Sequence, residues 1–183
     1  RGLGRAPEER EARLDRFLAA TLAFGHTGFL VMDGGIPSAV RSYFNLQAVH
    51  AAYAQATPAE IRYADAKGNL LDTSAAVATG VYKRSQIRTD YSNGLRVFVN
   101  GHPTEEWFLK DFSVTLPPNG WYVCDIRDMR RRLEAWSRLV DGHRADYVSC
   151  PEYVYADGRG ELTDFHDVVC NGPLIVYGRF KDK

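Results

Sequence analysis

The chain is poor in the residue patterns from which most self-contained active sites are built. Its three cysteines, Cys124, Cys150 and Cys170, are odd in number and far apart, so they define neither a disulfide framework nor a Cys-x-x-Cys metal site. Buried, reduced thiols are the expectation, with one bridge as the alternative. The five histidines, His26, His50, His102, His143 and His166, form no His-Glu-x-x-His pattern. Only Asp164-Phe165-His166-Asp167 brings possible metal ligands together, and a polar loop explains it more simply. There is no Gly-x-Ser-x-Gly elbow, no phosphate loop, and no identifiable base for Cys150. Gly2-Leu3-Gly4 does not complete a dinucleotide fingerprint. No cofactor and no metal are expected.

Net charge is lacking too. With 23 basic and 23 acidic residues, no long-range field draws the chain to nucleic acid or to an anionic membrane. Arg127, Arg130, Arg131 and Arg132 cluster, but beside Asp128 and Glu134 they read as a solvated face. No apolar run approaches the roughly 20 residues that cross a bilayer as a helix. The text opens on Arg1 in a polar segment without an apolar leader, as expected of an excised or processed chain. Its 183 residues suffice for one large or two small domains, burying roughly 70% of the surface the unfolded chain exposes.

What is present changes character along the chain. From Pro7 to Phe24, Leu14, Phe17, Leu18 and Leu22 recur at spacings of three and four, which predicts an amphipathic helix. Pro7 and the early glutamates suit its start and Gly25 its stop. Thr27 to Met32 is short and almost wholly apolar, the pattern of a strand covered on both faces, and ends at Asp33-Gly34-Gly35. A second helix is predicted from Pro37 to about Gln55, burying Val40, Tyr43, Phe44, Val49 and Tyr53, before Thr57-Pro58.

Beyond Pro58 the period shortens. Four Asn-Gly pairs, at residues 93–94, 100–101, 119–120 and 171–172, mark the later part of the chain, and Asn-Gly between β-rich runs signals hairpins. Strands are predicted at 60–63, 81–91, 95–99, 107–116, 121–124, 146–155 and 174–180. Those at 81–91 and 95–99 pair across Asn93-Gly94, with Leu95, Val97 and Val99 on one face. Ile126, Met129, Leu133, Trp136 and Val140 stand at helical spacing, which predicts an inserted helix at about 126–140 capped by Gly142. The expected class is α+β: N-terminal helices with one buried strand, then an antiparallel β-sandwich over residues 58–183 with an inserted helix.

Several phrases resemble the end of bacterial glycoside-hydrolase-like proteins. They are Gly25-His26-Thr27-Gly28-Phe29-Leu30, Arg41-Ser42-Tyr43-Phe44, the stretch from Asp90-Tyr91-Ser92-Asn93-Gly94 to Val99-Asn100-Gly101, and Leu116-Pro117-Pro118-Asn119-Gly120-Trp121. In such proteins a (β/α)8 barrel precedes an antiparallel sandwich. The resemblance implies that residues 1–57 form the end of a barrel and that the sandwich braces it, with the acid and base on barrel strands outside this chain. The remainder of the barrel is then a partner, carbohydrate a ligand, and secretion or the periplasm the location, with any leader ahead of Arg1.

Candidate site residues follow. On a barrel, Asp33 would sit just beyond a strand's C-terminal end, as a pocket acceptor or a catalytic carboxylate, with Arg41 and Tyr43 in support; the plainer reading is a turn. Trp107, Trp121, Tyr122 and Trp136 offer flat faces for sugar rings, although core packing is the commoner use of such residues. Glu105, Glu106, Glu152, Asp157 and Glu161 lie near predicted β connections, where a solvated carboxylate is the default. No pair suited to glycosidic cleavage is legible. The alternative function is a noncatalytic carbohydrate-binding or accessory module.

Overall fold

The computed structural model describes residues 6–126 and 133–178. Helix α1 spans Pro7–Phe24, with Pro7 in its first turn and Gly25 closing it at φ 62°. Leu14, Leu18 and Leu22 point inward with at most 3% exposure, and burying each such side chain contributes about 1.5–3 kcal/mol. Helix α2 spans Ile36–Tyr53 and buries Phe44, Leu46, Val49 and Tyr53, together with the polar Arg41, Ser42 and Asn45.

Residues 27–32 between the helices do not form the expected strand. They have no regular structure, and Phe29, Leu30 and Met32 are 70%, 54% and 60% exposed. Their backbone is tied to α2 rather than to a ladder. Gly28 N–H donates to His50 Nε2 at 3.3 Å and Val31 N–H to Ser42 Oγ at 3.1 Å. Gly28 is needed for that approach, because a Cβ there would meet His50 and Leu46 at 2.6 and 2.7 Å.

The remaining elements are β1 (Pro58–Ala64), β2 (Leu70–Asp72), α3 (Thr73–Thr79), β3 (Gln86–Tyr91), β4 (Leu95–Asn100), β5 (Trp107–Leu109), β6 (Val114–Leu116), β7 (Trp121–Asp125), β8 (Glu134–Val140), β9 (His143–Ser149), β10 (Tyr153–Asp157), β11 (Thr163–Asp164), β12 (Val169–Cys170) and β13 (Leu174–Tyr177). Nine strands form one sheet in the order β13-β10-β9-β8-β7-β4-β3-β1-β2, antiparallel at every ladder. The class is α+β, with α1 and α2 N-terminal to the sheet and the short α3 between β2 and β3. Alternation sends Leu95, Val97, Val99, Trp121, Val123, Val148, Tyr153 and Tyr155 into one core with α1 and α2. Phe98, Tyr122, Trp136 and Tyr147 point the other way, into a second core closed by β5–β6, Phe165 and neighbouring residues.

The expected helix at 126–140 is overturned in its described part. Residues 134–140 are strand β8, paired with β7 and β9; residues 127–132 lie outside the described residues. Trp136 and Val140 are four apart, a spacing that fits one face of a strand as well as one face of a helix. Asp141 and Gly142, at φ 49° and 85°, form the two-residue turn between paired Val140 and His143, so Gly142 serves a hairpin rather than a helix end. The predicted strand at 81–91 begins instead with a 3-10 turn at Val81–Arg84, and α3 stands where the sequence reading placed no element.

Candidate functional site

The residues singled out from sequence do not gather in one place. Asp33 lies in the α1–α2 connection, its carboxylate 3.3 Å from Arg13 Nη1 with both side chains about half exposed. Tyr43 is 42% exposed and meets Phe44 edge-on at 5.1 Å. It lines a shallow hollow of about 300 Å³ with Phe29, Leu30, Leu46 and His50. Trp107 and Trp121 are 5% and 0% exposed, in opposite cores, and Tyr122 and Trp136 are buried as well. These four aromatics therefore present no open ring face. The Trp121 indole N–H and the Asn45 amide are buried without a hydrogen-bond partner among the described residues, a cost of about 1–3 kcal/mol for each unsatisfied group.

Arg41 leads to a cluster. It is buried between α1 and the sheet, its Nη2 on Asp15 Oδ1 and its Nε 2.8 Å from Asp146 Oδ2. Arg159 reaches the same two carboxylates, with Nη1 3.0 Å from Asp15 Oδ2 and Nη2 2.8 Å from Asp146 Oδ1. Arg144 adds a third guanidinium, 3.0 Å from Asp15 Oδ2, and also donates to Ser137 Oγ and to the Pro118 and Asn119 carbonyls. Burial works against the Arg41 charge, yet Asp146 and Asp15 outweigh it and hold the group above the ordinary arginine range. For Arg144 burial prevails and the shift is downward. The cluster clamps α1, α2, β8, β9 and the chain after β10. Breaking a buried pair of this kind costs about 3–5 kcal/mol, because the abandoned charge stays desolvated.

Asp157 borders the clamp on a groove of about 610 Å³ that Ile36, Pro37, Tyr155 and Asn171 also line. Its Oδ1 accepts the Arg159 backbone N–H at 2.9 Å and its Oδ2 the Tyr155 hydroxyl at 3.3 Å. Burial, with Asp146 nearby, pushes its carboxyl up to about 6. It is thus a weak acid beside a groove. Asp146, at 0% exposure and locked between two arginines, is no accessible second carboxylate. Arg159 itself adopts φ 50°, a conformation that non-glycine residues seldom take.

Of the other sequence candidates, Glu105, Glu106 and Trp107 line one groove and the rest are scattered. Glu105 pairs with Arg84 at 2.6 Å, and Glu152 and Glu161 are exposed. In Asp164-Phe165-His166-Asp167, Phe165 packs against both Trp136 and Tyr147, which also touch each other, Asp164 Oδ1 accepts the His166 N–H, and Asp167 accepts the Tyr147 hydroxyl. Among the described residues no three potential metal ligands converge. All three cysteines are free thiols, and burial pushes Cys124 and Cys150 up to about 11. The basic cluster at 127 and 130–132 lies outside the described residues. No helix among those described is long and apolar enough to cross a membrane.

The run Thr27 to Met32, whose pattern assigned it to the interior, lies largely outside it, with exposed Phe24 and Ile36 beside it in sequence. Phe24, Phe29, Leu30, Met32 and Ile36 are 54% to 74% exposed within thirteen residues of chain at the α1–α2 connection. Scattered apolar side chains are ordinary on a surface; these large ones follow closely on one another along the chain. The molecule is thus an α+β sheet protein with an internal ion clamp and an apolar flank. Comparison with known protein families, curated proteins and solved structures gave no match.

Proposed function

We propose that this chain is the C-terminal supporting portion of a glycoside-hydrolase-like carbohydrate-active protein, and that a catalytic barrel outside this chain rests on the α1–α2 flank. The observation that carries this reading is the exposed run from Phe24 to Ile36. Three exposed members, Phe29, Leu30 and Met32, belong to the stretch whose all-apolar pattern suits burial on both sides. α1 and α2 already bury their inner faces against the sheet, so the flank is left over after the chain has completed its own core. The resemblance of the Asn93-Gly94 and Leu116-to-Trp121 phrases to the closing sandwich of such enzymes supplies the carbohydrate context.

Chemistry is assigned elsewhere in the larger protein. The buried carboxylates Asp15 and Asp146 are held by arginines, whereas glycosidic cleavage uses two carboxyl groups about 5 Å apart, or wider for inversion, facing one sugar. The purified 183-residue chain is expected to show no turnover of aryl glycosides or oligosaccharides. Turnover abolished by Asp157→Asn would overturn this assignment and make the groove beside Asp157 an active site.

A further inference from the structure

A second groove lies on the sheet face opposite α1 and α2. One wall is the β1–β2 turn at residues 65–70, the other the β5–β6 hairpin from Glu105 to Phe112, and Arg84, Gln86 and Phe98 contribute between them. It encloses about 580 Å³, within the usual range for small-ligand clefts.

Its polar groups are held in place before any ligand arrives. The Asp65 carboxylate accepts the backbone N–H groups of Lys67 and Asn69 at 2.8 Å and the Asn69 amide at 2.9 Å, which fixes the turn. Arg84 is held by Glu105 at 2.6 Å and by buried Gln86 at 3.3 Å. Its Nε is shielded from solvent and has no partner among the described residues. Gln86 is held in turn by Asn100 at 3.2 Å. Groups fixed in this way lose little freedom on binding.

The lining also selects a ligand class. Three cations, Lys67, Arg84 and Lys110, stand among four carboxylates, Asp65, Glu105, Glu106 and Asp111, so the charges nearly cancel and neither an anion nor a cation is strongly favoured. Donors and acceptors are interleaved, which suits hydroxyl groups that both give and accept hydrogen bonds. Phe108 lines the groove at 58% exposure, an aromatic surface on which the C–H face of a sugar ring packs. We infer that this groove binds a neutral oligosaccharide, with Phe108 as the stacking platform and Arg84, Lys110 and Asn69 meeting hydroxyl groups. The inference rests on this lining alone, and its failure would leave the supporting role of the chain untouched.

The test is calorimetric titration of the 183-residue protein with neutral glucose, xylose, mannose and N-acetylglucosamine hexasaccharides, with hexagalacturonate as the anionic control. At least one neutral probe is expected to bind more tightly than hexagalacturonate, and Phe108→Ala to weaken it by about tenfold at unchanged melting temperature. Silence from every neutral probe at millimolar concentration, a preference for hexagalacturonate, or binding indifferent to Phe108→Ala would overturn the inference. If Phe108→Ala does not fold, the exposed Lys110→Ala decides: weakened binding supports the site, and unchanged binding removes it.

Discussion

Arg41 shows what a single residue in a sequence can and cannot announce. Its position near the start of a helix drew attention, but its partners Asp15 and Asp146 lie 26 and 105 residues away, and Arg159 joins them from a third region. No local pattern encodes such a meeting, so the sequence suggested a pocket where the fold builds a clamp. Asp157 gives this region a pH signature. Its folded-state carboxyl holds a proton up to about pH 6, whereas its ordinary value is 3.8. Folding therefore favours the protonated form, and the contribution of this residue to stability falls as pH rises from about 4 to 6 and stays low above that. Asp157→Asn removes the penalty while keeping an acceptor for the Arg159 N–H. In thermal melts the variant is expected to match the parent near pH 4 and to melt higher above pH 6. Equal melting at both would show that Asp157 ionises without cost.

At the scale of elements, α1 and α2 were legible because helical spacing, Pro near each start and Gly25 agree with the packing. The β3–β4 hairpin was legible because Asn93-Gly94 sits between complementary strands, and β4 alternates as read. Other Asn-Gly pairs misled. Asn119-Gly120 joins β6 to β7, which lie in different sheets, while the Asn100 amide bonds the carbonyls of Glu105, Leu116 and Pro117 and so closes a loop rather than a hairpin. The overlooked signal was Asp141-Gly142. Its φ of 85° with nothing within 4 Å of an added Cβ makes Gly142 a clean test. Gly142→Ala is expected to lower stability by about 1–2 kcal/mol, the price of a left-handed L-residue. Gly172→Ala, in equally open space without positive φ, should be neutral or slightly stabilising. Equal effects in chemical denaturation would mean that the β8–β9 turn differs from the one described.

For the whole molecule, sequence patterning separated a helical beginning from an antiparallel remainder and so conveyed the α+β class. It did not convey that α1 and α2 share one buried core with β3, β4, β7, β8, β9 and β10, because which faces meet is decided by contacts across the full chain. The run at residues 27–32 was misplaced for a related reason. An apolar pattern reports a need for cover without saying what provides it, and this chain's own core covers only Val31 in part while Phe29 leans on Phe17.

That uncovered run is where the supporting role stands or falls. Leu30→Asp combined with Met32→Asp should lower the melting temperature of the 183-residue chain only slightly, since both side chains are more than half exposed. In the longer, barrel-bearing protein that the proposed function requires, the same pair should lower the melting temperature further and the glycosidase activity with it, as charges are driven into a barrel contact. A double variant that leaves the longer protein as stable and active as its parent would contradict the account.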